Sequence, residues 1–451
     1  MQLGFFINVQ RCIGCHTCEV ACKETHNLPP GPRWRRVRIV EGGAFPRPFA
    51  YAVSMACNHC ASPICVQVCP VGAYSRRPDG LVIHDPGRCI GCQYCTYACP
   101  YGAPQYNEAT GKAGKCGGCH DRVDEGAHPA CVDACPVRAI EFGPLEQLER
   151  QHPDALATLP VLPDPALTGP SLRIRPRAGV AVRPTRIVDG HHIRRPLEER
   201  RMKAFSLVLF AVLSQAAVGQ VLVTLFLPGS PVTRLALPLG ALGLIIALFH
   251  LGTPGGAPRA LANLRRSWLS REALLTGLFT LAAGLYGYVW PGWPAGLCAG
   301  LLGLAALYAQ GMVWQLPTRP EWRHPANLWG PIASALLLGA LTVALGGGHS
   351  LAALRGLGVT IVAASGCVLV ALGLWALHMV SIPRSPMRPD TWFWIRLVAG
   401  VGLPIVSGIS LALGMEPDVL TTGGALVGAV AGELLGRNLF FRVGFDQLPQ
   451  F

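Results

Sequence analysis

Sixteen of the 18 cysteines fall before residue 136, and they fall in four groups of four. The groups are Cys12, Cys15, Cys18 and Cys22; Cys57, Cys60, Cys65 and Cys69; Cys89, Cys92, Cys95 and Cys99; and Cys116, Cys119, Cys131 and Cys135. The first and third share the spacing C-x2-C-x2-C-x3-C, and in the second, third and fourth the last cysteine is followed by Pro70, Pro100 and Pro136. A loop of this spacing wraps three thiolates around one iron–sulfur cubane and sends the fourth to the other cluster of a pair. Proline has no backbone donor and fixes the turn at that ligand. Thiolates suit both iron–sulfur clusters and zinc, but zinc sites built from C-x2-C pairs leave the third cysteine and the trailing Cys-Pro unexplained. Disulfides need an oxidising compartment. No basic segment or twin arginine precedes Cys12, so the cysteines are expected to fold and take up metal on the side of synthesis.

Four complete quartets predict four [4Fe–4S] clusters. Exchange of fourth ligands needs a choice of partners, and the outer and the nested groups are paired here. One cluster then uses Cys12, Cys15, Cys18 and Cys135, and its mate Cys22, Cys116, Cys119 and Cys131. The inner pair uses Cys57, Cys60, Cys65 and Cys99, and Cys69, Cys89, Cys92 and Cys95. Four clusters in one small domain make a wire. Short β-like runs, Leu81-Val82-Ile83 and Ala139-Ile140-Glu141-Phe142, flank the loops. The basic run from Arg33 to Arg38 could dock a partner, but the plainer reading, a solvated loop, is favoured.

Beyond about residue 143 the texture changes twice. Nine prolines between 144 and 196 forbid long helices and strands, which suggests an extended strap. Arg194, Arg195, Arg200, Arg201 and Lys203 then mark a membrane boundary. After it come eight apolar stretches of about the ~20 residues that a spanning helix needs. They run approximately over 204–227, 235–252, 272–290, 295–315, 327–346, 352–379, 392–413 and 419–437. Trp268, Trp290, Trp293, Trp314, Trp322, Trp392 and Trp394 gather at their edges. The net charge of +13 is carried by arginines in loops between apolar runs, which argues for membrane orientation and against nucleic-acid binding. With eight spans, the side of the N-terminal domain holds Arg259, Arg265, Arg266, Arg271, Arg319, Arg323, Arg384, Arg388, Arg437 and Arg442, against Arg234 and Arg355 opposite. That asymmetry predicts a multi-pass protein of the bacterial cytoplasmic membrane with its cysteine domain in the cytoplasm.

Ionisable residues at membrane depth are functional candidates. His250 ends the second stretch and Glu272 opens the third, joined by a connection rich in donors and acceptors. These two residues are the candidate catalytic groups of a quinone headgroup site, where electron transfer requires proton transfer. The plainer reading has His250 capping a helix and Glu272 paired with Arg271 or Arg266. His378, Arg396, Glu433 and Arg437 are weaker candidates, the last two spaced as an i,i+4 ion pair. Cys298 and Cys367 read as small packing residues. No flavin or nicotinamide motif is present, since no glycine cluster follows a strand.

The stretch Gly4-Phe5-Phe6-Ile7 with Arg11-Cys12-Ile13-Gly14-Cys15-His16-Thr17-Cys18-Glu19-Val20-Ala21-Cys22-Lys23 resembles the four-cluster subunit of dimethyl sulfoxide reductase-type molybdoenzymes, and all four quartets match in order over residues 1–142. Leu162-Pro163-Asp164-Pro165 to Ile174-Arg175-Pro176 is similar to that subunit's tail. From about 204 onward the chain resembles the family's eight-span anchor subunit, most specifically at His250-Leu251-Gly252 and Ser267-Trp268-Leu269-Ser270-Arg271-Glu272. The latter run is similar to cytoplasm-facing sulfite dehydrogenase/quinone complexes as well. The resemblance implies a separate molybdopterin catalytic subunit, a quinone site at His250 with Glu272 nearby, and a fusion of two subunits in one chain. The expected architecture is therefore multi-domain. An α+β ferredoxin-like poly-[4Fe–4S] domain (1–142) leads through a Pro-rich strap (143–203) to an all-α transmembrane bundle of eight helices (204–451), in contact with lipid and quinone.

Overall fold

The computed structural model describes residues 1–159, 162–177, 186–189, 197–227, 230–320, 322–346, 350–381, 398–415 and 420–446. The chain divides into two compact units, one of Met1–Arg195 with Leu251–Ser267, the other of Pro196–His250 with Trp268–Gln447.

The first unit is built on β1 (Leu3–Asn8), six consecutive buried residues. β8 (Ile140–Pro144) pairs with it antiparallel on one side and β9 (Leu172–Arg175) parallel on the other. A strand buried on both faces reads as a continuous apolar run rather than an alternating one. A second sheet joins β2 (Arg36–Gly42), β3 (Phe49–Met55) and β10 (Arg186–Asp189), all antiparallel. Two small hairpins, β4 (Tyr74–Arg76) with β5 (Val82–His84) and β6 (Gln105–Asn107) with β7 (Lys112–Gly114), follow the second and third cysteine quartets. Short helices carry cysteines: α1 (Thr17–Thr25), α2 (Ile64–Val68), α3 (Tyr94–Ala98) and α5 (Ala130–Asp133), with α4 (His120–Asp124) just after Cys119. Helix α6 (Leu145–Gln151) follows β8. Apolar cores form around the thiols. Phe5, Ile7, Val37, Val53, Ile140 and Ile174 pack with Cys18, Cys131 and Cys135, and Val71, Val82 and Ile90 pack with Cys65, Cys69, Cys89 and Cys95.

The Arg33–Arg38 run is not a solvated loop. It leads into β2: Arg35, just before the strand, and Arg38, within it, are buried, and Arg36 donates to the Gly102 carbonyl. Sequence charge alone could not distinguish the two, because alternation on a strand sends successive side chains to opposite faces.

Two glycine-lined contacts tie the 251–267 segment into this unit. A Cβ on Gly252 would lie 1.8 Å from the Gly111 carbonyl oxygen, and one on Gly91 would lie 2.0 Å from that same atom. Only bare backbone fits there.

The second unit is helical: α7 (Leu197–Thr224), α8 (Ala236–Leu248), α9 (Trp268–Gly284), α10 (Trp293–Val313), α11 (Ala326–Leu345), α12 (Leu351–Ser381), α13 (Leu403–Ala412) and α14 (Thr421–Asp446). Among the described residues, six helices are long and apolar enough to cross a membrane: Phe205–Thr224, Pro231–Leu248, Trp268–Val289, Trp293–Val313, Ala326–Leu345 and Ala352–Leu372. The seventh expected stretch begins at 392–397, outside the described residues, and leaves the shorter apolar helix Gly400–Ala412. The eighth corresponds to α14, whose apolar run is broken by Glu433 and Arg437. Arg194, Arg195, Arg384, Arg388, Trp392, Trp394 and Arg396 also lie outside the described residues, as do the side chains of Arg200, Arg201, Lys203, His378 and Arg442.

Helices in this unit approach through glycine. A Cβ on Gly219 would fall 1.7 Å from the Ala335 oxygen, and one on Gly358 would fall 2.5 Å from the Gly408 oxygen, as expected where small residues let membrane helices pack. Cys298 and Cys367 are exposed on the outside of their helices rather than packed within. Trp322 is buried, with its ring edge-on to Trp314 at 5.4 Å, whereas Trp290 and Trp293 are exposed.

Candidate functional site

The four cysteine loops repeat one backbone device. The residue immediately before the second cysteine has a positive φ in each quartet: Gly14 at 72°, His59 at 44°, Gly91 at 69° and Gly118 at 74°. This left-handed residue folds the loop back so that amides point at sulfur. The Gly91 N–H donates to Cys89 Sγ and the Gly118 N–H to Cys116 Sγ, both at 3.4 Å. The fourth cysteines use a second repeat. Cys69 and Cys99 cap the C-termini of α2 and α3, and Ala73 N–H and Ala139 N–H donate to Cys69 Sγ (3.3 Å) and Cys135 Sγ (3.2 Å). Hydrogen bonds of this kind favour the thiolate form that ligates metal.

The thiols act on one another both within and between the quartets. Burial pushes the Cys12 thiol up, and charge on Cys135 and Cys15 pushes it further. Cys22 is raised by burial and then by Cys116, Cys131 and Cys119. Cys60, pushed up to about 12 by burial, feels Cys57 and Cys99. Cys92, also raised to about 12 by burial, feels Cys69 and Cys89. Influence also passes between quartets. Cys18 couples to Cys131, Cys116 couples to Cys57, and Tyr74 lies among Cys95, Cys65 and Cys69.

Such thiols stay protonated at neutral pH unless a metal removes the proton. A single zinc ion would draw its ligands to about 2.3 Å around one point. Among the described residues no three His, Cys, Asp or Glu side chains converge in that way. A cubane places each thiolate on a different iron, and twelve of the sixteen thiols are buried, with Cys15 exposed.

Three polar side chains among the thiols escaped the sequence reading: Arg35, His59 and Lys115 are all buried. His59 stands where the other quartets have glycine, and its Nδ1 accepts from the Val82 N–H at 3.0 Å. Its Nε2 therefore carries the proton and faces Cys116 Sγ at 4.0 Å. The departure from glycine in Cys57-Asn58-His59-Cys60 was the available signal.

The 251–267 segment meets two of these loops. Thr253 N–H donates to the Ile90 carbonyl at 3.2 Å and Arg259 to Gly87 at 2.8 Å. Asn263 donates to the Cys69 carbonyl at 2.8 Å and Ser267 to Val68 at 2.9 Å. Leu251 and Ala260 pack on the core around Cys69 and Cys89.

In the helical unit, His250 follows α8 and its Nδ1 donates to the Ala247 carbonyl, so the ring does bond a helix-end carbonyl. Glu272 is buried on α9 beside the Gln310 side chain, within the influence of the Arg437 charge. It forms no close ion pair among the described residues, and Arg271 lies over the Trp268 ring at 4.3 Å. His250 and Glu272 share no hydrogen bond. Gln310 belongs to a polar group: Gln215 donates to it at 2.9 Å and it donates to Ser214 at 3.3 Å. It also lines a cavity of about 110 Å³ of water-accessible space with Ser334, Glu433 and Arg437. Ser334 donates to Glu433 at 2.8 Å, and Glu433 pairs with Arg437 at 3.8 Å.

Two sequence models, each described as a 4Fe-4S dicluster domain, match residues 49–145 and 11–73. A chain of the anaerobic dimethyl sulfoxide reductase of Escherichia coli is 48% identical over 198 residues, 42% of this protein and 95% of that relative. The thiosulfate reductase electron transfer subunit of Salmonella typhi is 43% identical over 146 residues, covering 32% of this protein and 76% of its own length. A sulfite dehydrogenase subunit of Allochromatium vinosum is 38% identical over 164 residues, 32% of this protein and 68% of that relative. The cysteine-bearing part of the molecule thus belongs to the iron–sulfur subunit family of the dimethyl sulfoxide reductases, and it is joined here to a multi-pass membrane helical region.

Proposed function

We propose that the protein is the electron-transfer and membrane-anchor subunit of a quinone-linked molybdopterin oxidoreductase. Four [4Fe–4S] clusters, held by the four thiol sets above, supply one-electron steps between a separate catalytic subunit and the quinone pool. The observation that carries this reading is the influence that passes between the thiol quartets and the segment that meets two of them. The backbone around Cys69 and Cys89 is bonded by the segment 251–267, and that segment connects two membrane helices in the chain.

His250 and Glu272 stand at the two ends of that connection and serve as the proton-handling groups of the quinone site. His250 presents Nε2, because Nδ1 is committed to Ala247. Glu272 is held in a protein interior next to Gln310, where a carboxyl can exchange a proton with a hydroquinone. The reading keeps the division at 1–142, 143–203 and 204–451, with eight spans in the bacterial cytoplasmic membrane. Arginine asymmetry supports the cytoplasmic side for the iron–sulfur domain.

The family match to subunits named for dimethyl sulfoxide and thiosulfate reductases supports an S-oxide or sulfur-oxyanion reductase partner. A sulfite:quinone role is the second reading, supported by the likeness to the sulfite dehydrogenase subunit. Mild detergent purification from native membranes tests the proposal. About 16 iron atoms per chain, molybdenum and a large co-purifying subunit are expected. Full iron without molybdenum or a large subunit would refute it in favour of a self-sufficient ferredoxin:quinone oxidoreductase.

A further inference from the structure

The helical unit buries two carboxyls and a guanidinium about one polar cavity. Glu433 on α14 is 6% exposed, and one of its oxygens accepts from the Ser334 hydroxyl of α11 at 2.8 Å. The other lies 3.8 Å from Arg437 Nε, one helical turn on, and that nitrogen has no hydrogen-bond partner. Gln310 of α10 lines the same cavity. Its amide bonds Gln215 and Ser214 of α7, and it lies beside Glu272 of α9. Within α11, Pro331 has no N–H to give the Asn327 carbonyl, and both residues stand in the cavity wall. A backbone acceptor is thereby freed at the wall. Gln215 Oε1, fully buried, also has no partner among the protein's groups. The water-accessible space of about 110 Å³ is several times the ~10–15 Å³ that one water needs, and it falls short of the ~150 Å³ cavity that takes a benzene ring. This is a chamber for a few waters and too small for a substituted quinone ring. Among the described residues lining it, Glu433 and Arg437 carry the charge, and the Arg437 charge acts on Glu272 as well. Uncompensated charge at membrane depth is costly. Two carboxylates against one guanidinium leave one negative charge over, and a single proton between them removes it.

We propose that Glu272 and Glu433 share one proton across this chamber and so form a proton store for the quinone site. The use of the store in turnover rests on the reading of His250 and Glu272 given above; the store itself rests on the cavity and its charges. At rest the proton is on Glu433 and Glu272 is ionised. A hydroquinone that gives its two electrons to the clusters breaks two O–H bonds, one proton going to His250 Nε2 and the other to the Glu272 carboxylate. Glu433 gives up its own proton past Arg437, whose side chain is 19% exposed, and is left as a carboxylate beside that cation. Transfer from Glu272 to Glu433 through the water of the chamber restores the resting state, and quinone reduction runs the same steps in reverse. Glu433 does not touch the quinone and is a positioning residue that acts through Glu272.

The test is infrared spectroscopy of the full chain in detergent at neutral pH, which reads the C=O stretch of protonated carboxyls. Glu272→Gln and Glu433→Gln are each expected to remove the same single band, because one carboxylate then faces one guanidinium. Arg437→Gln is expected to double that band, and Arg437→Lys, which keeps the charge, to leave it in place. Two carboxyls that titrate independently lose the band in one Glu→Gln variant and keep it in the other. That result overturns the proposal, as does a band unmoved by both variants. Where Arg437→Gln does not fold, the two Glu→Gln variants decide the matter alone. Glu433→Gln is also expected to slow quinol-driven cluster reduction by roughly tenfold or more with reduction by dithionite unchanged, and an unslowed rate overturns the role in turnover. Clusters of the unmodified chain that take no electrons from quinol would instead refute the quinone reading, while the infrared bands still decide whether the proton is shared.

Discussion

The contact of Gly252 with the third cysteine loop offers a sharp perturbation, Gly252→Ala. The added methyl would sit 1.8 Å from the Gly111 oxygen, 2.5 Å from the Gly111 carbonyl carbon and 2.6 Å from the Tyr106 hydroxyl. Ordinary contact begins near 3.4 Å, so the segment must retreat by roughly 1.5 Å. Gly111 cannot yield by rotating a side chain, because the clash is with backbone. Overpacking of this kind costs about 1–3 kcal/mol. The retreat also strains the Thr253 N–H to Ile90 hydrogen bond, worth about 1 kcal/mol. A total of roughly 2–4 kcal/mol raises the open population of the segment by roughly 30- to 700-fold, since 1.4 kcal/mol is about tenfold. Trypsin reads this directly at the exposed Arg265 and Arg266, because cleavage follows the open population when reclosing is fast. Gly255→Ala is the control, as a Cβ there meets nothing within 4 Å. A Gly252→Ala chain that keeps its iron and is cut no faster than the control would refute the docking argument.

Glu272→Gln preserves shape beside Gln310 but cannot take up a proton. Quinol-driven cluster reduction should fall about a hundredfold while reduction by dithionite is unchanged, and equal quinol rates would remove Glu272 from the site. Cys135→Ser should alter the same EPR signal as Cys12→Ser, and Cys22→Ser the same as Cys116→Ser; any other grouping would contradict the pairing. His84, whose ring lies 4.6 Å from that of Tyr74, is pushed down to about 4 by burial and then by Lys115. An unfolded His takes its proton near 6.5, so the unfolded chain binds more protons between those values. Stability is full above about pH 6.5 and is lost as pH falls toward 4. Between pH 7 and pH 5 the loss is about 2 kcal/mol. Thermal midpoints of the unmodified chain should drop over that interval more than those of His84→Gln, and parallel curves would count against a buried neutral His84.

Much of the chemistry was legible because ligand spacing is local. C-x2-C-x2-C brings three thiols together through one loop, whatever the rest of the chain does. Apolar length likewise marks membrane helices without reference to neighbours, and Glu433 with Arg437 follows from helical spacing alone. The tertiary structure decided what depends on residues far apart in sequence. β9 runs parallel to β1 although the whole cysteine region lies between them, a pairing that the prolines leading into β9 do not encode. Arg35 looked like one charge in a basic loop, yet just before β2 it is buried among thiols of the first and fourth quartets. The 251–267 connection reads as a donor-rich loop of a quinone site, and only the fold shows it bonded to the carbonyls of Cys69 and Cys89. Charge and polarity are properties of a residue, whereas burial is a property of everything packed around it, and only the folded chain determines the second.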